Sequence, residues 1–435
     1  MEKDRALFWG IAGTKIILLA LFVLFFGTSA LVWSDSTTFL RLGRGIFMGQ
    51  GFVYTQEGSL EFIPATTRTP LYSVFIGFFD VFVPYGRIAV SIIQVFVAAA
   101  NAYFVFKIAR MFLPEKWALA GAILFSFEPL VAVTNMLILP ETILTFFILI
   151  FAYFFLLFMQ DGRRSLLVYS ALALALAVYT KPVAYYLFII PLAVLVIKRR
   201  FYAVGIFAGI LFLLFLPWMV RNYGLVGSFS MTTNDSGNIC SWELVGVLAT
   251  KYRIDSSDFT TLYALPEYAE VYARCTGSFS ALSIFMTEYR KEFFITSALG
   301  TLAFLTNDGY SAFFEKSSEE QVKIHHNYLT PAVFTNADWW SKIKGAFFEL
   351  ELYERIVVLG GKIFRVLIFF FMIFCILTKR SEEVRFLVFI IFYFLAVSVV
   401  STGYGVGARL RIPVDSFLIL LAFSGFQQLF HRLRI

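Results

Sequence analysis

The run FWGIAGTKIILLALFVLFFGTSALV, from Phe8 to Val32, decides the fold. It exceeds the roughly 20 apolar residues that cross a bilayer as a helix. A secretory leader has an apolar core of only about 7–15 residues, so this run reads as a retained transmembrane helix. Similar runs recur downstream and predict spans at about 87–110, 116–134, 141–159, 165–180, 182–197, 202–220, 356–378, 384–402 and 413–430. The composition agrees. Of 435 residues, 59% are hydrophobic and only 15% charged, and mean hydropathy is +0.78. A soluble chain is about half apolar and about a quarter charged. The expected fold class is therefore an all-α polytopic membrane protein with about ten transmembrane helices.

Charge position then orients the spans. The net charge of +7 sits in short basic clusters between apolar runs, not in one patch, which argues against nucleic acid as a partner. With Lys3 and Arg5 inside, alternation places Lys107, Arg110 and Lys116 inside. Arg163 and Arg164, Lys198 to Arg200, Lys379 and Arg380, and His431 to Arg434 follow on the same side. That is the positive-inside pattern, with both termini cytoplasmic. Two long polar insertions, about 33–86 and 221–355, fall outside. Pro70 to Val83 is too short to span comfortably and reads as an interfacial helix, as does Asp35 to Met48, where Phe39, Leu42, Ile46 and Phe47 recur at helical spacing. The chain thus divides into a transmembrane module at 1–220 with its first outer loop, a large outer loop at 221–355, and C-terminal helices at 356–435. A bacterial inner membrane is the expected location.

This topology gathers ionisable residues at the outer ends of helices: Asp35, Arg68, Glu141, Lys181, Arg221, Arg409 and Arg411. Charges near hydrocarbon are costly and tend to be functional. Lys181 stands out. Thr180-Lys181-Pro182 interrupts an apolar stretch whose arms are about 16 residues, or about 24 Å of helix, against a core about 30 Å thick. It should lie slightly below the outer surface, where a recessed cation suits a lipid-linked phosphate. Each residue has a plainer reading too. Asp35 could cap the helix that follows it, Glu141 could be a first-turn acid, Lys181 could snorkel, and Arg409 and Arg411 could anchor the last span. Joint placement on one side is the stronger signal. Cys240 and Cys275 share the large outer loop, where a disulfide is one option. His325 and His326 read as a solvated pair. No phosphate-cradling glycine loop, dinucleotide fingerprint or zinc spacing is present. No cofactor is certain from the sequence: a divalent metal stays open, with no ligand set for one visible.

The segments around these residues resemble the GT-C class of membrane glycosyltransferases, in particular the bacterial branch related to protein O-mannosyltransferases and lipid A aminoarabinose transferases. The likeness rests on Ser34-Asp35 through Phe39-Leu40-Arg41-Leu42 to Gly49-Gln50-Gly51-Phe52, on Thr67-Arg68-Thr69-Pro70-Leu71-Tyr72, and on Leu139-Pro140-Glu141. Tyr179-Thr180-Lys181-Pro182, Leu216-Pro217-Trp218-Met219-Val220-Arg221-Asn222-Tyr223 and Ala408-Arg409-Leu410-Arg411-Ile412-Pro413 complete it. Ser36 stands where some relatives have a second acid, and Thr69 replaces the first proline of a Pro-Pro pair.

The resemblance implies transfer of a sugar from an undecaprenyl- or dolichyl-phosphate donor to a protein, lipid or glycan acceptor. It makes Asp35 the general base of an inverting displacement and Lys181, Arg68, Arg409 and Arg411 the phosphate ligands. Glu141 would orient the acceptor or Lys181. Arg221, Tyr72 and Arg41 are further substrate-site candidates. The outer loop, with Trp242, Tyr252, Tyr263, Tyr268, Trp339 and Trp340, would shape the acceptor site. A transporter or flippase for a lipid-linked or anionic solute is the rival. It is disfavoured by the lack of a visible repeat and by how few charges fall at span centres.

Overall fold

The computed structural model describes residues 2–55, 62–256, 258–310, 329–403 and 407–433. His325 and His326 lie outside them. The first unit comprises residues 1–233, 372–391 and 412–435, and the second comprises 234–371 and 392–411.

The first unit opens with α1 (Glu2–Phe26), α2 (Ser34–Phe47), a short antiparallel pair of β1 (Val53–Thr55) and β2 (Phe62–Pro64), and α3 (Pro70–Phe82). It continues with α4 (Gly86–Ala109), α5 (Glu115–Phe127), α6 (Pro129–Thr134), α7 (Glu141–Asp161), α8 (Arg164–Thr180), α9 (Ile189–Ile197) and α10 (Phe201–Val226). The second unit holds α11 (Asn234–Asn238), α12 (Leu244–Tyr252), α13 (Phe259–Tyr263), α14 (Pro266–Arg274), α15 (Ser278–Glu288), α16 (Arg290–Thr306) and α17 (Trp339–Glu349). Of the last helices, α18 (Leu352–Thr378) and α19 (Glu382–Thr402) are divided between the units, and α20 (Ile412–Leu433) belongs to the first.

Among the described residues, seven helices are long and apolar enough to cross a membrane. The other three predicted spans are shorter or broken, for local reasons. The 116–134 stretch breaks at Glu128-Pro129, because proline offers no N–H to continue α5. Glu128 caps the new helix by accepting from the Val131 N–H at 2.8 Å. The break leaves the Ser126 carbonyl bare, and buried Lys15 of α1 donates to it at 2.6 Å. Pro182 ends α8 in the same way, leaving Lys181 extended between α8 and a 3-10 turn over Pro182–Phe188. α8 itself is only 17 residues long.

Both predicted interfacial helices exist as α2 and α3, and two glycines bring them together. A Cβ on Gly43 would lie 2.3 Å from the Ser73 carbonyl, and one on Gly77 would lie 2.5 Å from the Gly43 backbone. Only glycines allow so close an approach, the same device that lets membrane helices touch backbone to backbone. Phe39 and Leu40 of α2 then bury with Tyr72 and Ile76 of α3, Leu19 of α1 and Val90 and Val95 of α4.

In the second unit, Cys240 and Cys275 form a disulfide. The bond ties the start of a compact core, in which Leu244, Val247 and Leu248 of α12 pack with Leu262, Val271, Phe285 and Phe293.

Candidate active site

Two acid–base pairs lie in the first unit. Asp35, in the first turn of α2, faces Arg68 at 3.9 Å, and both side chains are about one-third exposed, at 34% and 27%. Glu141, in the first turn of α7, accepts from Lys181 Nζ at 2.9 Å. Glu141 is almost fully buried, whereas the Lys181 side chain keeps 19% exposure. The Glu141 carboxylate therefore fixes the lysine head at the break between α8 and the following turn.

The backbone locks the two acids into one neighbourhood. The Ile138 N–H donates to the Leu31 carbonyl at 2.8 Å. Ser36 Oγ returns the contact by donating to the Ile138 carbonyl at 2.7 Å, while accepting from the Trp33 N–H at 2.8 Å. The entry to α2 is thus stapled to the turn that leads into Glu141. Tyr72, fully buried, donates to Gln94 at 2.9 Å, and Gln94 in turn donates to the Leu137 carbonyl. Thr142 donates to Asn135 at 3.0 Å, and Asn101 donates to the Thr142 carbonyl at 3.1 Å. The 135–142 turn is thus bound to α4 through Gln94 and Asn101 and to the entry of α2 through Leu31 and Ser36, and the Thr142–Asn135 bond closes it on itself. In a low-dielectric surround such a network holds a single geometry.

Arg68 is fixed from the other side by the chain beyond α10. The Thr233 N–H donates to the Thr66 carbonyl at 3.0 Å, Thr232 Oγ1 donates to the Thr67 carbonyl at 3.0 Å, and Tyr54 and Thr67 share a bond of 2.7 Å. Arg221 donates to the Ala65 carbonyl at 3.0 Å and to the Phe52 carbonyl at 3.3 Å. Its guanidinium lies 4.4 Å from the Trp218 ring centre, a cation–π contact. Trp218 donates to the Met231 carbonyl at 3.1 Å and Asn222 to the Ser230 carbonyl at 2.9 Å. The Leu-Pro-Trp-x-x-Arg-Asn segment is therefore a clamp on the loop that carries Arg68. Arg68 itself lies over the Phe39 ring at 5.6 Å.

Residues 67–220 match the family described as dolichyl-phosphate-mannose-protein mannosyltransferase. The match covers 154 of the 435 residues. It contains Arg68, Tyr72, Glu141 and Lys181, whereas Asp35 precedes it and Arg221 follows it directly. A crystal structure of ArnT from Cupriavidus metallidurans bound to undecaprenyl phosphate is similar at a TM-score of 0.39 and 11% identity, over 95% of this chain and 77% of that one. No curated protein matches.

The remaining candidates are placed differently. Arg41 is exposed on α2. Arg409 and Arg411 belong to the second unit. Arg411 is buried and donates to the carbonyls of Phe304 and, at 2.7 Å, Asn307. It neutralises the C-terminal end of α16, where unpaired carbonyls favour a cation. Among the described residues no group of three or more His, Cys, Asp or Glu side chains could hold a metal ion. Sequence reasoning missed Ser36 and Gln94 as structural members of the site. Gln94, a polar residue within an apolar span, carried a usable signal.

Proposed function

We propose that the protein is a membrane glycosyltransferase that takes its sugar from a polyprenyl-phosphate donor at the outer face. The observation that carries this reading is the juxtaposition of the Asp35–Arg68 and Glu141–Lys181 pairs, two acids and two bases at helix ends. The family match over residues 67–220 and the ArnT likeness in name point the same way.

In this mechanism the acceptor hydroxyl oxygen attacks the anomeric carbon. The bond from that carbon to the phosphate oxygen breaks, and the polyprenyl phosphate leaves with the electron pair. Asp35 takes the acceptor proton as general base. Arg68 and Lys181 meet the charge that develops on the leaving phosphate, and fixed cations do so with little reorganisation. Glu141 positions Lys181. A single displacement of this kind inverts the anomeric centre. Arg411 is not a phosphate ligand, because its guanidinium is buried against the Phe304 and Asn307 carbonyls, and Arg221 acts by holding the Arg68 loop. The acceptor is a protein, lipid or glycan.

The test is transfer in reconstituted membranes, with labelled polyprenyl-phosphate sugars and a membrane extract as acceptor. Wild type should consume one donor, and Asp35→Asn should lose transfer while inserting and folding normally. Near-normal turnover in that variant removes Asp35 from the role of base. Donor crossing the bilayer without being consumed overturns the enzyme reading.

A further inference from the structure

At the end of the first unit remote from Asp35, a polar cavity of about 750 Å³ opens between the N-terminus of α1 and the ends of α4 and α7. Its charged lining is balanced: Lys3, Lys107 and Arg110 against Glu2, Asp4 and Glu115. Lys3 and Arg110 bind Glu115 at 2.6 and 2.8 Å, and Lys107 faces Asp4 at 3.7 Å. Such exposed pairs are weak and exchange readily with a charged ligand.

A second cavity of about 440 Å³ shares Lys3, Phe106 and Glu115 with the first and continues from it along α1 and α5. Leu7, Gly10 and Thr14 form one wall and Leu119, Ile123 and Phe127 the other. Gly10 leaves open space where a side chain would stand. α1 and α5 both pack on α4, which forms the floor. From Lys3 to Thr14 the helix rises about 16 Å, and half a bilayer core is about 15 Å. The groove is thus as long as one leaflet is deep, apolar along its length and charged at its mouth.

We propose that the two cavities form one site for a zwitterionic aminophospholipid of the leaflet opposite the candidate active site. The phosphate binds Lys107 and Arg110, the ammonium donates to Asp4 and Glu2, and one acyl chain lies between α1 and α5 over Gly10. The balance of charge selects this occupant. An anionic lipid would draw Lys107 from Asp4 and Arg110 from Glu115 and give Asp4 and Glu2 no counter-charge in return, whereas a headgroup carrying both signs meets both sets. The lipid braces α1, whose far end leads through the Thr28–Leu31 turn to Asp35.

The test uses the full chain purified in detergent and exposed to phosphatidylethanolamine, phosphatidylcholine or phosphatidylglycerol. Native mass spectrometry counts bound lipid, and thermal unfolding is read in parallel. One phosphatidylethanolamine per chain should be retained, at least tenfold more tightly than phosphatidylglycerol, and should raise the unfolding temperature. Phosphatidylcholine, whose ammonium has no N–H to donate, should bind more weakly. Gly10→Leu, which fills the groove, and Lys107→Glu, which unbalances the mouth, should each lose at least tenfold in retention, while Gly10→Ala retains more than Gly10→Leu. Preference for phosphatidylglycerol, equal retention of all three lipids, equal retention by Gly10→Leu, or a second copy of the chain seated on α1 and α5 would each overturn the proposal. Wild type alone supplies the lipid ranking should a variant fail to fold. The readout is binding, so it stands or falls independently of the transfer reaction.

Discussion

Lys181, half-buried, and Glu243, fully buried, are two ionisable residues with opposite fates. Lys181 is paired with Glu141 at 2.9 Å. Lys181→Ala should raise the donor KM or lower kcat/KM at least about tenfold, equivalent to about 1.4 kcal/mol. Lys181→Arg should recover part of the loss, since it restores the charge and leaves no buried carboxylate unpaired. Unchanged donor kinetics in Lys181→Ala would move the phosphate site elsewhere. Glu243, in the second unit, is fully buried, and neither carboxylate oxygen has a hydrogen-bond partner. Burial holds its carboxyl well above the usual carboxylate range. Space beside it is tight: at Gly403, in the left-handed region with φ +56°, an added Cβ would lie 2.5 Å from Glu243 Oε2. Because the folded value is raised, its stabilising contribution is complete below the unfolded pKa near 4.3. It is lost as pH rises through the folded value, at up to about 1.4 kcal/mol per pH unit. Thermal unfolding at pH 5 and pH 8 should therefore show wild type losing stability relative to Glu243→Gln. A constant gap between the two proteins would mean that Glu243 does not titrate this way.

Among elements, the short connections do more to shape the site than the long helices. The α2–α3 hairpin depends on Gly43 and Gly77, and the turn before α7 depends on hydrogen bonds from Ser36, Gln94 and Asn101. In the second unit the Cys240–Cys275 disulfide spans a separation of 35 residues. A loop of that size constrains the unfolded chain by about 3 to 4 kcal/mol in the chain-entropy description. Cys240→Ser and Cys275→Ser should each lower the stability of that unit by an amount of this order, as read by thermal unfolding or by protease resistance of the 234–310 segment. Reduction of the wild-type protein should produce the same loss, and an unchanged melting profile under reducing conditions would contradict it.

Across the whole molecule, the distribution of basic clusters predicts which faces meet which compartment. In intact cells a membrane-impermeant thiol reagent should label Phe279→Cys, in the second unit, and should reach Lys198→Cys only after permeabilisation. The reverse pattern would invert the chain. The sequence by itself determined the membrane class, the helical content, the break at Lys181, the two short helices between α1 and α4 and the residue types of the acid–base constellation. These follow from local rules: apolar length against bilayer thickness, proline chemistry and charge bias. Only the tertiary structure decided that Asp35 meets Arg68, that Glu141 fixes Lys181, that Arg221 clamps a loop, and that Arg411 caps a helix end. Each of those outcomes joins residues far apart in the chain, and such pairings depend on backbone approach and hydrogen-bond partners that no local pattern encodes.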